Sequence, residues 1–131
     1  MTLDNARSFV MSREDRPVLF YFWAPWCKSC EKLAPTIDRI AVDYASRLTV
    51  ICGGRQASFD EVRSAAVELL TSGHARWVYD DDMSISEAYA ARFNPITVLV
   101  VGQVEVARWP GLAKESAMRE GIDQVLALYP S

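Results

Sequence analysis

The sequence predicts a three-layer α/β/α sandwich on a mixed central sheet of about five strands. Three observations lead there. Strand-like and helix-like patterns alternate along the 131 residues. One run, Val18–Trp23, is apolar throughout, as in a strand covered on both faces. The last two strand-like runs are separated only by Gly102-Gln103, which predicts a hairpin and so an antiparallel part of the sheet.

The elements follow in order. Leu3–Met11 reads as a short helix with Asp4 near its start. Val18–Trp23 is the first strand. Cys27–Arg47 is a long helix whose Leu33, Ile37, Ile40, Ala41 and Tyr44 recur at spacings of three and four. Pro35 inside it is expected to kink it. Leu48–Cys52 is the next strand, expected to stop at Gly53-Gly54. Phe59–Leu70 is a helix with Ser58 as N-cap and Gly73 as its stop. Ala75–Tyr79 is a short strand. Ser84–Phe93 is a helix, and Ser84-x-x-Glu87 has the form of a capping box. Ile96–Val101 and Val104–Trp109 form the hairpin. Lys114–Tyr129 closes the fold, with Ile122, Val125, Leu126 and Tyr129 facing inward.

Composition bounds the function. The patterning has no linker or repeat and predicts one domain over residues 1–131. A net charge of −3 with scattered basic residues argues against nucleic acid. No run approaches the ~20 apolar residues of a membrane span. Met1–Arg7 lacks the basic and apolar regions of a signal peptide. The chain as it stands is therefore expected in the cytoplasm; with a leader or anchor removed, the expectation is a periplasmic or other extracytoplasmic site. A monomer is expected. Three cysteines are too few for a disulfide scaffold and suit one working pair plus a spare thiol.

That pair is Cys27-Lys28-Ser29-Cys30, between the first strand and the long helix. The first sulfur falls at a helix N-terminus, where unpaired N–H groups and the macrodipole favour an anion. The second lies one turn on, close enough to close a small ring. Cys27 is expected to be the exposed nucleophile and Cys30 the resolving thiol. Lys28 adds positive charge and is expected to lower the Cys27 pKa. A zinc site would need about four ligands; only Cys52 and His74 remain, without ligand spacing. No metal and no cofactor beyond the Cys27–Cys30 disulfide is expected.

Trp23-Ala24-Pro25-Trp26-Cys27-Lys28-Ser29-Cys30, followed by Leu33-Ala34-Pro35, resembles the active-site strand and helix of the thioredoxin superfamily. The helix and strand inserted at Phe59–Tyr79, before Pro95, resemble the TlpA/ResA-like branch. The resemblance implies a thioredoxin-like fold and thiol–disulfide exchange with protein clients, supplied by a separate electron donor. It also implies that Pro95 is a cis-proline facing the cysteines, with Asn94 offering its backbone to a client strand. Three positions depart from thioredoxin. Tyr21 stands for a buried aspartate, Cys52 for a lysine, and Asn94 for an aliphatic residue before the proline. The first two remove the acid–base pair that helps deprotonate the resolving thiol; the third is expected to alter client choice.

The remaining candidates carry two readings each. Trp26 is expected on the rim that a client touches, and Trp23 in the core. Gly111 either gives clients access to backbone beside the cysteines or simply makes a turn. Cys52 reads as a small buried hydrophobe or as a third thiol able to form an alternative disulfide. Asp80-Asp81-Asp82 reads as a solvated turn, and His74 as a surface loop residue. Lys28-Ser29 lacks the proline of the strongly reducing loop, so a potential between thioredoxin and the strong oxidants is expected. Two other functions compete. One is a binding or copper-handling assembly module, since soft thiolates bind Cu(I). The other is a thiol peroxidase, although Ala24 stands where its loop needs threonine.

Overall fold

A computed structural model describes residues 16–102 and 104–128. The five strands are β1 (Val18–Trp23), β2 (Thr49–Gly54), β3 (Ala75–Tyr79), β4 (Ile96–Val101) and β5 (Val104–Pro110). The helices are α1 (Lys28–Asp43), α2 (Phe59–Leu69), α3 (Ser84–Ala88) and α4 (Glu115–Leu128). The strands form one sheet in the order β3-β2-β1-β4-β5. β1 runs parallel to β2 and antiparallel to β4, so the sheet is mixed as expected. The predicted helix Leu3–Met11 lies outside the described residues, as do Gln103 and Tyr129.

β1 is central, and all six of its residues are buried. Its alternate side chains feed two cores. Leu19, Tyr21 and Trp23 pack on one face with residues of α1, α2 and α4. Phe20 and Phe22 pack on the other with Ile85 and Ala91, their rings stacked 4.6 Å apart. Fully burying one such side chain is worth about 1.5–3 kcal/mol, which is why an unbroken apolar run belongs here. α4 is tied to α1 at the surface: Arg119 reaches Asp43 at 2.7 Å, and the Tyr44 hydroxyl donates to Asp123 at 2.6 Å.

The structure corrects several boundaries. α1 continues through Pro35 but ends at Asp43, and the remaining residues to Arg47 turn back toward β2. β2 does not stop before Gly53-Gly54 but includes both. The reason is space: a Cβ on Gly54 would lie 2.5 Å from a methyl of Val62 on α2 and 3.1 Å from the Trp23 ring. Gly54 serves here as a strand residue over which a helix lies close, and Gly53 as one against which the Phe20 ring packs, 3.1 Å from where a Cβ would stand. A similar contact seats α4, where a Cβ on Gly121 would lie 2.6 Å from the Trp109 indole.

α2 begins as expected at Ser58, and Glu61 completes a capping box with it. α3 does not follow its sequence signature. It ends at Ala88, and Ser84 is not its N-cap; Met83 is, in a left-handed conformation and without a side-chain bond. The cap comes from further back. Asp80, only 1 % exposed, accepts from the Ile85 amide at 3.1 Å and the Ser86 amide at 2.8 Å. Asp80 is therefore a buried anchor and not part of a solvated turn, because its carboxylate replaces water for otherwise unpaired amides. Among the described residues, no helix is long and apolar enough to cross a membrane.

The sheet-to-helix contact at Gly54 is testable. Gly54→Ala is expected to cost about 1–3 kcal/mol in urea denaturation. Val62→Ala in the same chain is expected to recover part of that loss, giving a measurable coupling in a double-mutant cycle.

Candidate functional site

The chain turns from β1 into α1 across residues 24–27. The Cys27 amide closes that turn on the Ala24 carbonyl at 3.1 Å. Cys27 is the N-cap of α1, with extended backbone at φ −88° and ψ 115°. Its Sγ accepts from the Cys30 amide at 3.3 Å, the part usually played by a serine or aspartate oxygen. The expectation of an exposed Cys27 is corrected here: it is only 8 % exposed, its sulfur being turned onto the helix end to cap it.

Cys30 is 1 % exposed. Burial, followed by its hydrogen bond to Cys27, pushes its thiol up to about 12. The Ala24 backbone and Tyr21 work the other way. Cys30 therefore holds its proton, while the Cys27 sulfur lies against the unpaired amides of a helix start. All three cysteines carry free thiols.

Tyr21 lies beneath the pair. Its hydroxyl donates to the Cys30 carbonyl at 2.7 Å, and burial keeps its own proton on. Cys52 pairs with Tyr21 across the parallel register. It is fully buried, and burial first and Asp38 second push its thiol up. This environment is that of a small core residue.

The Asn94–Pro95 peptide bond is cis. Phe22 pairs with Ile96, so Pro95 lies one position beyond that pair, alongside the end of β1. The Pro95 carbonyl accepts from the Gly111 amide at 2.7 Å, and Gly111 has φ +69°. The sequence candidates Cys27, Cys30, Trp26, Asn94, Pro95 and Gly111 therefore gather at one end of the sheet. Lys28 is the exposed first residue of α1. His74 is exposed at the start of β3.

Two residues that sequence reasoning passed over hold this end together. Trp26 is 61 % exposed, yet its Nε1 donates to the Gln56 carbonyl at 2.9 Å. The Asn94 side-chain amide donates to Gln56 Oε1 at 2.6 Å. Next to Gln56, Arg55 is 1 % exposed, and its Nε donates to Asn94 Oδ1 at 2.9 Å. Its Nη1 donates to the Ala91 carbonyl at 2.6 Å, and its Nη2 to that of Phe93. Nothing in the sequence marks Arg55 as buried, since an arginine after two glycines reads as an ordinary loop residue.

The family model described as Thioredoxin matches residues 1–69. The chain belongs to the thioredoxin family. That family is one of thiol–disulfide oxidoreductases. Over 45 residues the chain is 54 % identical to the chloroplastic thioredoxin M-type of Zea mays, covering 34 % of this chain and 26 % of that protein. Over 36 residues it is 56 % identical to the thioredoxin of Griffithsia pacifica, covering 28 % of this chain and 33 % of that one. It thus spans about a quarter to a third of the length of these curated relatives. Solved structures extend the likeness in fold. The pneumococcal exposed lipoprotein thioredoxin of Streptococcus pneumoniae superposes with TM-score 0.78 at 19 % identity, over 88 % of this chain and 89 % of that one. A secreted Mycobacterium tuberculosis disulfide oxidoreductase homologous to E. coli DsbE gives 0.74 at 18 %, over 86 % and 84 %. The thioredoxin fold therefore extends well beyond the segment matched in sequence.

The raised thiols fix the sign of the alkaline response. Above the ordinary thiol value of 9.0 the unfolded chain loses protons that folded Cys30 and Cys52 retain. Stability of the reduced protein is expected to be full below pH ~9. It then falls by up to about 1.4 kcal/mol per pH unit per thiol as pH rises toward 12. Urea titrations at stepped pH measure this. Tyr21→Phe is expected to cost about 1 kcal/mol in the same measurement, because the buried Cys30 carbonyl loses its donor.

Proposed function

We propose that this chain exchanges disulfides with protein clients through Cys27 as nucleophile and Cys30 as resolving thiol. One observation carries the reading. Cys27 Sγ is held as a hydrogen-bond acceptor at the start of α1, while Cys30 behind it is buried and proton-retaining.

In the reducing direction, the Cys27 thiolate attacks one sulfur of a client disulfide. A mixed disulfide forms, and the other client sulfur leaves as a thiolate that takes up a proton. Cys30 then gives up its proton and attacks the Cys27 sulfur. The Cys27–client bond breaks, Cys27–Cys30 forms, and the second client thiolate leaves. Two electrons have passed from the pair to the client; the reverse sequence oxidises a client dithiol. Lys28 adds positive charge beside the nucleophile. The client would lie against Trp26, Phe93 and Leu112, which are 61 %, 68 % and 55 % exposed, and along the backbone at Asn94, Pro95 and Gly111. A separate donor of electrons would return the pair to the dithiol.

Insulin reduction with dithiothreitol as donor tests this. Cys27→Ser is expected to abolish catalysed turnover. Cys30→Ser is expected to accumulate a mixed disulfide on Cys27, detected by mass. Undiminished turnover in Cys27→Ser overturns the reading. Equilibration with glutathione is expected to give a potential between about −270 and −120 mV.

A further inference from the structure

Arg55 is a buried cation with an unusual set of partners. It sits just beyond β2, and its amide donates to the Trp23 carbonyl at the end of β1, at 3.0 Å. Its guanidinium lies 5.4 Å from the centre of the Phe22 ring. Its side-chain acceptors are all neutral: Asn94 Oδ1 and the carbonyls of Ala91 and Phe93. Among the described residues, no carboxylate lies within ion-pair distance of it. Buried Asp80, whose amide donates to the Gly54 carbonyl at 2.9 Å, has its oxygens occupied by the amides of Ile85 and Ser86 and by the Ser86 hydroxyl. A buried charge without a counter-charge is costly. The backbone bond of Arg55 to Trp23, four residues before Cys27, and its side-chain bonds to Phe93 and Asn94, beside Pro95, set this charge at the end of the sheet that carries the cysteine pair.

We infer that Arg55 is a positioning residue for disulfide exchange, holding the loop of residues 91–95 with its fork and supplying a fixed positive charge to the thiolate that forms in the cysteine pair. The inference rests on the disulfide-exchange reading above. Both tasks follow from one geometry. The planar guanidinium reaches three acceptors at once, which a single ammonium cannot do. Its charge is most effective when the pair is reduced and a sulfur is ionised, so it favours the dithiol form over the disulfide. This is how a thiolate-stabilising environment makes a disulfide more oxidising.

The test compares the intact protein with Arg55→Met and Arg55→Lys. Equilibration with glutathione reads the charge, and insulin reduction reads the loop. Arg55→Met is expected to shift the equilibrium toward the disulfide about tenfold, a potential about 30 mV more negative. Arg55→Lys is expected to keep the starting potential while raising the insulin KM several-fold. A potential unchanged in Arg55→Met, or shifted equally in both variants, overturns the inference. If Arg55→Met fails to fold, the Arg55 Nε–H resonance of the unaltered protein serves instead. It is expected to move between the dithiol and disulfide forms, and a fixed resonance overturns the inference. Failure of the unaltered pair to exchange with glutathione removes the disulfide-exchange reading and this inference together. Normal exchange with variants indistinguishable from it removes the role of Arg55 alone.

Discussion

The arrangement depends on how β1 ends. A strand buried on both faces leaves the sheet at its centre and must start a helix within four residues. Helix starts leave amides without partners, and here the chain meets that need with a sulfur. Cys27 caps α1, so the atom that stabilises the helix end is the same atom that faces an electropositive backbone. Folding and reactivity are thereby joined at one side chain. The cap is intrinsically weaker than a hydroxyl or carboxylate cap, because sulfur accepts hydrogen bonds poorly.

Around that end, three separate pieces of chain are fastened by polar contacts in addition to the apolar packing of Ala24, Cys27 and Ala91. The turn before α1 reaches Gln56 through Trp26, and Gln56 reaches Asn94. Arg55 reaches Asn94 and two carbonyls of the same loop. Hydrogen bonds fix direction where dispersion contacts tolerate sliding, so the cis peptide at Pro95 is held in register with the cysteines. Asn94 is the hub of this arrangement. Its difference from an aliphatic residue reads from sequence as a change in client choice, but its side chain is engaged within the protein, its oxygen by buried Arg55 and its nitrogen by Gln56 at the surface.

The sequence reveals the parts that obey a short-range rule. An unbroken apolar run gives β1, a two-residue spacing gives the thiol pair at the helix start, and Ser58 with its neighbours gives the start of α2. What is not legible depends on partners distant along the chain. Gly53 and Gly54 read as a stop because glycine usually breaks strands, whereas both pair with β1 and β3, and side chains come too close to leave room for a Cβ: the Phe20 ring at Gly53, and Val62 at Gly54. Asp80 reads as solvated because it heads a run of three acids, but its carboxylate turns inward to the next helix. Ser84 and Glu87 match a capping signature that the chain does not use, since that nearby aspartate reaches the amides first. Arg55 is the largest omission: no local pattern marks a charged side chain whose acceptors lie 36 to 39 residues away.

The contact between Gly121 and Trp109 reaches as far as the cis-proline. The indole fills the space where a side chain on α4 would stand, and two residues beyond Trp109 the Gly111 amide is bonded to the Pro95 carbonyl. The final helix thus lies against the strand that leads into the cis-proline contact, and a bulkier residue at position 121 would push on that strand.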